Sequence, residues 1–253
     1  MWRRRLVKTN TRRWLLLAIA AIAFVILIAN TGWWEAVLRM IFPSESVVVH
    51  PRATLLVLVW EHIQLVAISS AVTILVGVPL GTWVTRRSGQ SFLPIVNDIT
   101  SFGQTFPPVA VLALAVPVLG FGARPTIVAL FLYGLLPVVR NTIAGLRSVP
   151  EHVLDAAYGI GMTRWQALFR VEFPLSLPVI IAGVRISVVI NIGTAMIGAV
   201  IGAGGLGSPI IAGLVRDNLA FILEGAVPAA MLAILVDQSL TNVEKGLAAR
   251  RDR

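Results

Sequence analysis

A chain of 253 residues that is 57% hydrophobic and only 13% charged departs from soluble domains, which are about 45–50% apolar and about 25% charged. The composition excludes a soluble fold and indicates an all-α, polytopic membrane helix bundle, with no segment polar enough for a separate soluble domain. The net charge of +9 does not signal nucleic-acid binding, because the bases gather in short segments beside apolar runs, and the absence of cysteine removes disulfides, thiolate metal sites and cysteine nucleophiles.

The N-terminal arm carries Arg3, Arg4, Arg5, Lys8, Arg12 and Arg13, and an uncharged run follows from Trp14 to Trp34. A span needs about 20 apolar residues; a signal peptide has an apolar region of about 7–15 and a small-residue cleavage site. The run is therefore expected to be a retained first span, with Trp33 and Trp34 in an outer interfacial belt. The mixed stretch from Glu35 to Glu61, with Pro43 and Pro51, reads as an outer loop leading into a shallow amphipathic helix. A second span is expected over Ile63 to Val84, broken internally by Gly77, Pro79 and Gly81, with Arg86 and Arg87 marking its inner side. The third apolar region, Phe92 to Phe121, contains Asp98, Gln104, Pro107, Pro108 and Pro117. Two adjacent prolines remove two backbone donors, so a bend is expected near SFGQTFPP.

The fourth span covers about Pro125 to Val139, or as far as Ile143. Next comes Ser148 to Pro174, the longest polar stretch between apolar runs. It reads as two short helices joined by a glycine turn. Ser148 with Glu151, and Thr163 with Gln166, have capping-box spacing. Gly159 and Gly161 end the first helix, and Pro174 closes the piece. A hairpin of this kind suits docking of a soluble partner. The fifth span, Leu175 to Ile201, is broken by the glycine run Gly202, Gly204, Gly205 and Gly207; a loop to Asp217 and a sixth span, Leu219 to Leu240, follow. Six spans put both ends on one side. Sixteen of the 21 Lys and Arg then lie inside and four outside, with Arg185 within a span, which supports cytoplasmic termini and a cytoplasmic hairpin.

No catalytic constellation is present: His50, His62 and His152 lack zinc-ligand spacing, and no GxxxxGK[ST] phosphate loop occurs. GAGGLG follows a span rather than a strand, which excludes a dinucleotide fingerprint; it reads as a flexible outer turn or as a gate. Arg185, Glu224 and Asp237 are charges inside apolar runs, costly by about 2.5–3.5 kcal/mol at a span centre. Arg185 either pairs with a carboxylate or carbonyls, or lines a transport path. Glu224 is placed near a span end within reach of water, and Asp237 within reach of a tail base. Gln104, Thr105, Pro107 and Pro108 are pathway candidates, since a broken helix exposes backbone carbonyls to a cavity; the alternative is a kink that only shapes packing.

Asp155-Ala156-Ala157, then Gly161, then Val171, Phe173 and Pro174, resemble the "EAA…G…I-LP" loop of ABC-importer permeases, with Asp for Glu, Val for Ile and Phe for Leu. From Glu61 to Leu240, stretches such as GQTFPPVAVLALAVPVLGFG, ALFLYGLLPVVRNTIAGL and IGAGGLGSPII resemble the osmoprotectant branch (glycine betaine, choline, proline betaine). The resemblance implies an ABC type I importer permease without cofactor, coupled through Asp155, Ala156, Ala157, Gly161 and Pro174 to an ATP-binding cassette ATPase subunit that hydrolyses the ATP. It also implies an external substrate-binding protein and a second permease copy or sister permease. The expected organisation is a basic arm, first span and outer loop over 1–50, the permease domain over 51–245 with its coupling hairpin at 148–174, and a basic tail over 246–253, in the inner (plasma) membrane. The rival readings are the same architecture moving another solute such as an amino acid, and a non-transporting membrane scaffold.

Overall fold

The computed structural model describes the backbone of residues 2–251 and the side chains of residues 12–249. The arm bases Arg3, Arg4, Arg5 and Lys8 and the tail bases Arg250, Arg251 and Arg253 lie outside the described side chains. Eleven α-helices make up the described chain. They are α1 (Trp2–Ala29), α2 (Thr31–Ile41), α3 (Leu55–Val84), α4 (Leu93–Thr105), α5 (Pro108–Leu119), α6 (Ala123–Arg147), α7 (Glu151–Gly159), α8 (Arg164–Ala167), α9 (Phe173–Thr194), α10 (Gly207–Arg216) and α11 (Leu219–Arg251). Five segments are long and apolar enough to cross a membrane, and a sixth if α4 and α5, bent by 95°, count as one.

Helix α6 is the centre of the bundle. It packs against α3 on one side and α9 on the other, and its buried run includes Leu130, Gly134, Val138 and Thr142. Lipid tails are as apolar as leucine, so such helices associate through close packing and small residues. Gly134 shows the mechanism: a Cβ there would press onto Ser187 Oγ of α9 and stand 3.1 Å from Asn191 Nδ2. Hydroxyls inside the bundle turn back on their own helices, Thr73 donating to the Ser69 carbonyl and Thr142 to that of Val138. Asn141 Nδ2 likewise donates to the Pro137 carbonyl. These three side chains are thereby satisfied where water is absent.

Several boundaries differ from the sequence reading for identifiable reasons. The first helix ends at Ala29 because the Asn30 side chain accepts from the Trp33 amide and caps α2; the amphipathic helix therefore precedes the outer loop instead of following it. The fourth span is longer than expected at both ends, since α6 starts at Ala123 and runs on to Arg147. The segment before Asp217 is helical (α10), and α11 continues without a break to Arg251, into the region expected to be a basic tail.

The expected bend is present. Phe106 and Pro107 are both extended, as a residue before proline prefers, and Pro108 then opens α5. The Tyr133 hydroxyl of α6 donates to the Phe106 carbonyl and holds the bend against the bundle.

Candidate functional site

Contacts sort the helix ends into two faces. On one, Arg86 at the end of α3 forms a two-pronged ion pair with Glu172, just before α9, at 2.9 and 2.6 Å. On the other, the Gly205 amide donates to Glu61 of α3 at 2.8 Å, and the Gly122 amide donates to the Ile201 carbonyl at 2.9 Å. The chain leaves the first face after Arg86 and reaches the second at Gly122, so α4 and α5 together cross the bundle despite their bend.

The first face carries the hairpin. Helix α7 begins at Glu151 with Pro150 at its N-cap, and Ser148 does not cap it; the Ser148 hydroxyl donates instead to the Gly145 carbonyl at the end of α6. The second capping box is present, with Thr163 and Gln166 bonded reciprocally. Gly161 makes the turn with φ 86°. Pro174 does not close the piece. Residues Leu168–Glu172 form a π-helical turn, and Pro174 lies in the first turn of α9. Helix α8 is thus continuous with a spanning helix, so displacement of the hairpin bears directly on α9. Asp155 and Ala156 face solvent, while Ala157 is buried. Trp165, Phe169 and Phe173 stack in sequence along one helix face, with centroids 6.0 and 5.8 Å apart. Between this ladder and the end of α3 lies an open cavity of about 1220 Å³.

Glu172 carried no sequence signal beyond being a carboxylate next to a span. Its 4% exposure identifies it as the buried partner of Arg86. Glu61 and His62 were also missed. His62 is fully buried, and its Nε2–H donates to the Ile192 carbonyl at 3.0 Å.

On the second face, Gly202, Gly204 and Gly205 all have positive φ, a region that side-chain-bearing residues avoid. A Cβ on Gly204 would stand 2.5 Å from Glu61 Oε2. The glycine turn is therefore moulded onto the outer end of α3, and Gly207 opens α10 behind it. The outer loop closes over the start of α11. Asn218 Nδ2 donates to Glu45 and to the Val47 carbonyl, and buried Glu224 accepts the His50 amide at 2.7 Å. Glu224 therefore serves as an internal anchor and does not reach water. Burial, with the Arg52 and Arg216 guanidinium groups nearby, holds the His50 imidazole below its ordinary value.

Arg185 bonds Asp237 at 3.0 Å and lies 3.3 Å from Glu244, joining α9 to α11. Asp237 thus pairs with Arg185 within the bundle. Gln104 is half-buried and Thr105 exposed at the bend, with Pro107 and Pro108 beside them; Arg185 is not brought to this cluster. Among the described residues no group of histidines and carboxylates could hold a metal ion.

Known proteins are similar to this chain over most of its length. The family described as "Binding-protein-dependent transport system inner membrane component" matches residues 77–249. The osmoprotectant import permease protein OsmY of Salmonella typhimurium is 45% identical over 75% of this chain and 80% of its own length. The glycine betaine/carnitine/choline transport system permease protein OpuCB of Bacillus subtilis is 41% identical over 73% of this chain and 84% of its own. The choline transport system permease protein OpuBB of the same organism is 43% identical over 74% and 86%. Among solved structures, a chain of the inward-facing MetNI methionine ABC transporter superposes with a TM-score of 0.67, covering 76% of this chain and 95% of that one at 22% identity. At that identity the likeness concerns the fold alone.

Proposed function

The chain belongs to the family of binding-protein-dependent transport system inner membrane components, and from that premise we propose that it is the permease subunit of an ATP-driven importer for osmoprotectants such as glycine betaine, choline or carnitine. The observation that carries the solute class is the set of relatives named for these solutes, 41–45% identical over about three quarters of the chain. The hairpin is the cytoplasmic coupling element. Asp155, Ala156 and Gly161 present it to an ATPase subunit, Ala157 seats it, and Pro174 starts the spanning helix that receives the displacement. ATP hydrolysis resides on that partner, because this chain has no phosphate loop.

Solute is delivered by an external binding protein to the face carrying Gly202, Gly204, Gly205 and Gly207. This turn acts as the outer gate, and Glu61 is its catch. The path descends past Gln104, Thr105, Pro107 and Pro108, where the broken helix exposes backbone carbonyls. Arg185 ties α9 to α11, so that the two helices move as one body. A second permease copy or a sister permease completes the path, and both termini are cytoplasmic. The residue blocks 1–50, 51–245 and 246–253 act as added span, transport domain and tail end of α11.

The test is uptake of radiolabelled glycine betaine by the full complex in a host without its own osmolyte uptake. The expected result is ATP-dependent accumulation competed by choline and carnitine. Accumulation of an amino acid with no betaine uptake would overturn the solute class, and purification without an ATPase subunit would overturn the coupled mechanism.

A further inference from the structure

The cavity between α3 and the hairpin has a composition that the coupling role does not use. Its walls carry Trp83, Arg86 and Arg87 from α3 and the segment after it, facing Arg164, Trp165 and Phe169 from the hairpin. Its lining includes no Asp or Glu. Glu172 is engaged with Arg86, and Arg87 and Arg164 have no carboxylate partner in the described ion pairs. Two guanidinium groups without a carboxylate thus border a space whose wall also carries the rings of Trp83, Trp165, Phe169 and Phe173.

That wall continues into the membrane. Trp165 and Phe169 are 71% and 62% exposed, and their ladder runs through Phe173 into α9. Trp83 stacks on Phe92 at the opposite wall. Tryptophan on both sides of a span end marks the level of the lipid headgroups. Basic pockets between spanning helices on the cytoplasmic side take anionic headgroups, at about 1 kcal/mol per Lys or Arg.

The geometry points to a site for one anionic phospholipid of the inner leaflet, with its phosphate between Arg87 and Arg164 and its acyl chains along Phe169 and Phe173. The placement in the inner leaflet rests on the cytoplasmic position of the hairpin. A lipid held there wedges the end of α3 against α8, beside the Arg86–Glu172 pair that joins α3 to the turn before α9.

The test uses the full transporter complex in phosphatidylcholine vesicles, doped with phosphatidylglycerol brominated along its acyl chains. Quenching by the brominated lipid is read as the signal lost in Trp83→Phe/Trp165→Phe. The expected result is stronger quenching by brominated phosphatidylglycerol than by brominated phosphatidylcholine. The preference should fall about fivefold for each arginine removed in Arg87→Gln and Arg164→Gln, and Arg124→Gln on the other face should leave it unchanged.

Equal quenching by the two lipids, or a preference indifferent to both substitutions, overturns the site. So does displacement by soluble glycerol phosphate as effective as that by the lipid, which would make it a free-anion site. Quenching by the isolated permease that vanishes in the complex would make the cavity a subunit contact and overturns it too. Labelling of Gly159→Cys in the same vesicles reports the side of the hairpin, so an external hairpin, which would sink the functional reading, is distinguished from a failed lipid site.

Discussion

Removing the Arg86 guanidinium leaves the Glu172 carboxylate buried without its partner, and a stranded buried polar group costs about 1–3 kcal/mol, more when charged. Arg86→Ala should therefore lower the thermal midpoint of the detergent-solubilised protein clearly, whereas Arg87→Ala, which removes no ion pair, should leave it near the wild-type value; equal midpoints for the two variants would contradict the assignment. Packing at Gly134 gives a second residue-scale outcome. Gly134→Ala forces a methyl onto Ser187 Oγ and should cost about 1–3 kcal/mol by overpacking. Adding Ser187→Ala removes the clashing oxygen and should recover part of the loss, a non-additivity that a double-mutant cycle measures. Neither contact was legible in the sequence. Glu172 and Arg86 are 86 positions apart, and Gly134 and Ser187 meet only because α6 and α9 cross there. Arg185, by contrast, was legible, since a charge inside an apolar run needs a partner, and Asp237 provides it.

At the scale of elements, periodicity and breakers located the spans, the FPP bend and the glycine turn. They did not locate features set by continuity. A proline in the first turn of a helix leaves its hydrogen bonds intact, so Pro174 opens α9 and does not close the hairpin. This continuity decides how the hairpin is expected to work. Gly161 has φ 86° and proline requires about −65°, so Gly161→Pro should break the turn between α7 and α8 while leaving membrane insertion intact. Basal ATPase activity of the complex should then persist without stimulation by loaded binding protein, and full stimulation in this variant would refute the lever.

The outer loop supplies the pH-dependent element. His50 packs on Phe221, and its imidazole is held below 6.5 by burial and by Arg52 and Arg216, while its amide bonds Glu224. A depressed folded value means that the unfolded chain binds more protons between that value and 6.5, so stability falls as pH drops through this window. The thermal midpoint should decline from pH 7 towards pH 5, and the His50-dependent part of that decline should disappear in His50→Gln.

At the scale of the whole molecule, the ends of the spans fix one topology. Arg86 meets Glu172 on one face, and Glu61 meets Gly205 on the other. With the bent pair α4–α5 counted as one, the described chain has six segments long and apolar enough to cross. Helix α1 is an addition to this plan. The family match begins only at residue 77, yet Phe24, Ile28, Trp34 and Leu38 of α1 and α2 are buried in the same apolar cluster as Leu58 of α3 and Ala229 of α11. Orientation follows the bases and not the number of spans. Deleting α1 with its arm removes six of the sixteen inner bases and none of the four outer ones, so the bias survives with the same sign. The hairpin of the shortened chain should stay cytoplasmic while its new N-terminus emerges outside. The native chain has no cysteine, so Gly159→Cys, at a position with no neighbouring atom within 4 Å, can be labelled without background. Labelling from the cytoplasmic side in both full-length and shortened proteins is the expected result. Inversion on deletion would mean that the first span, and not the distribution of arginines, sets the direction of this bundle.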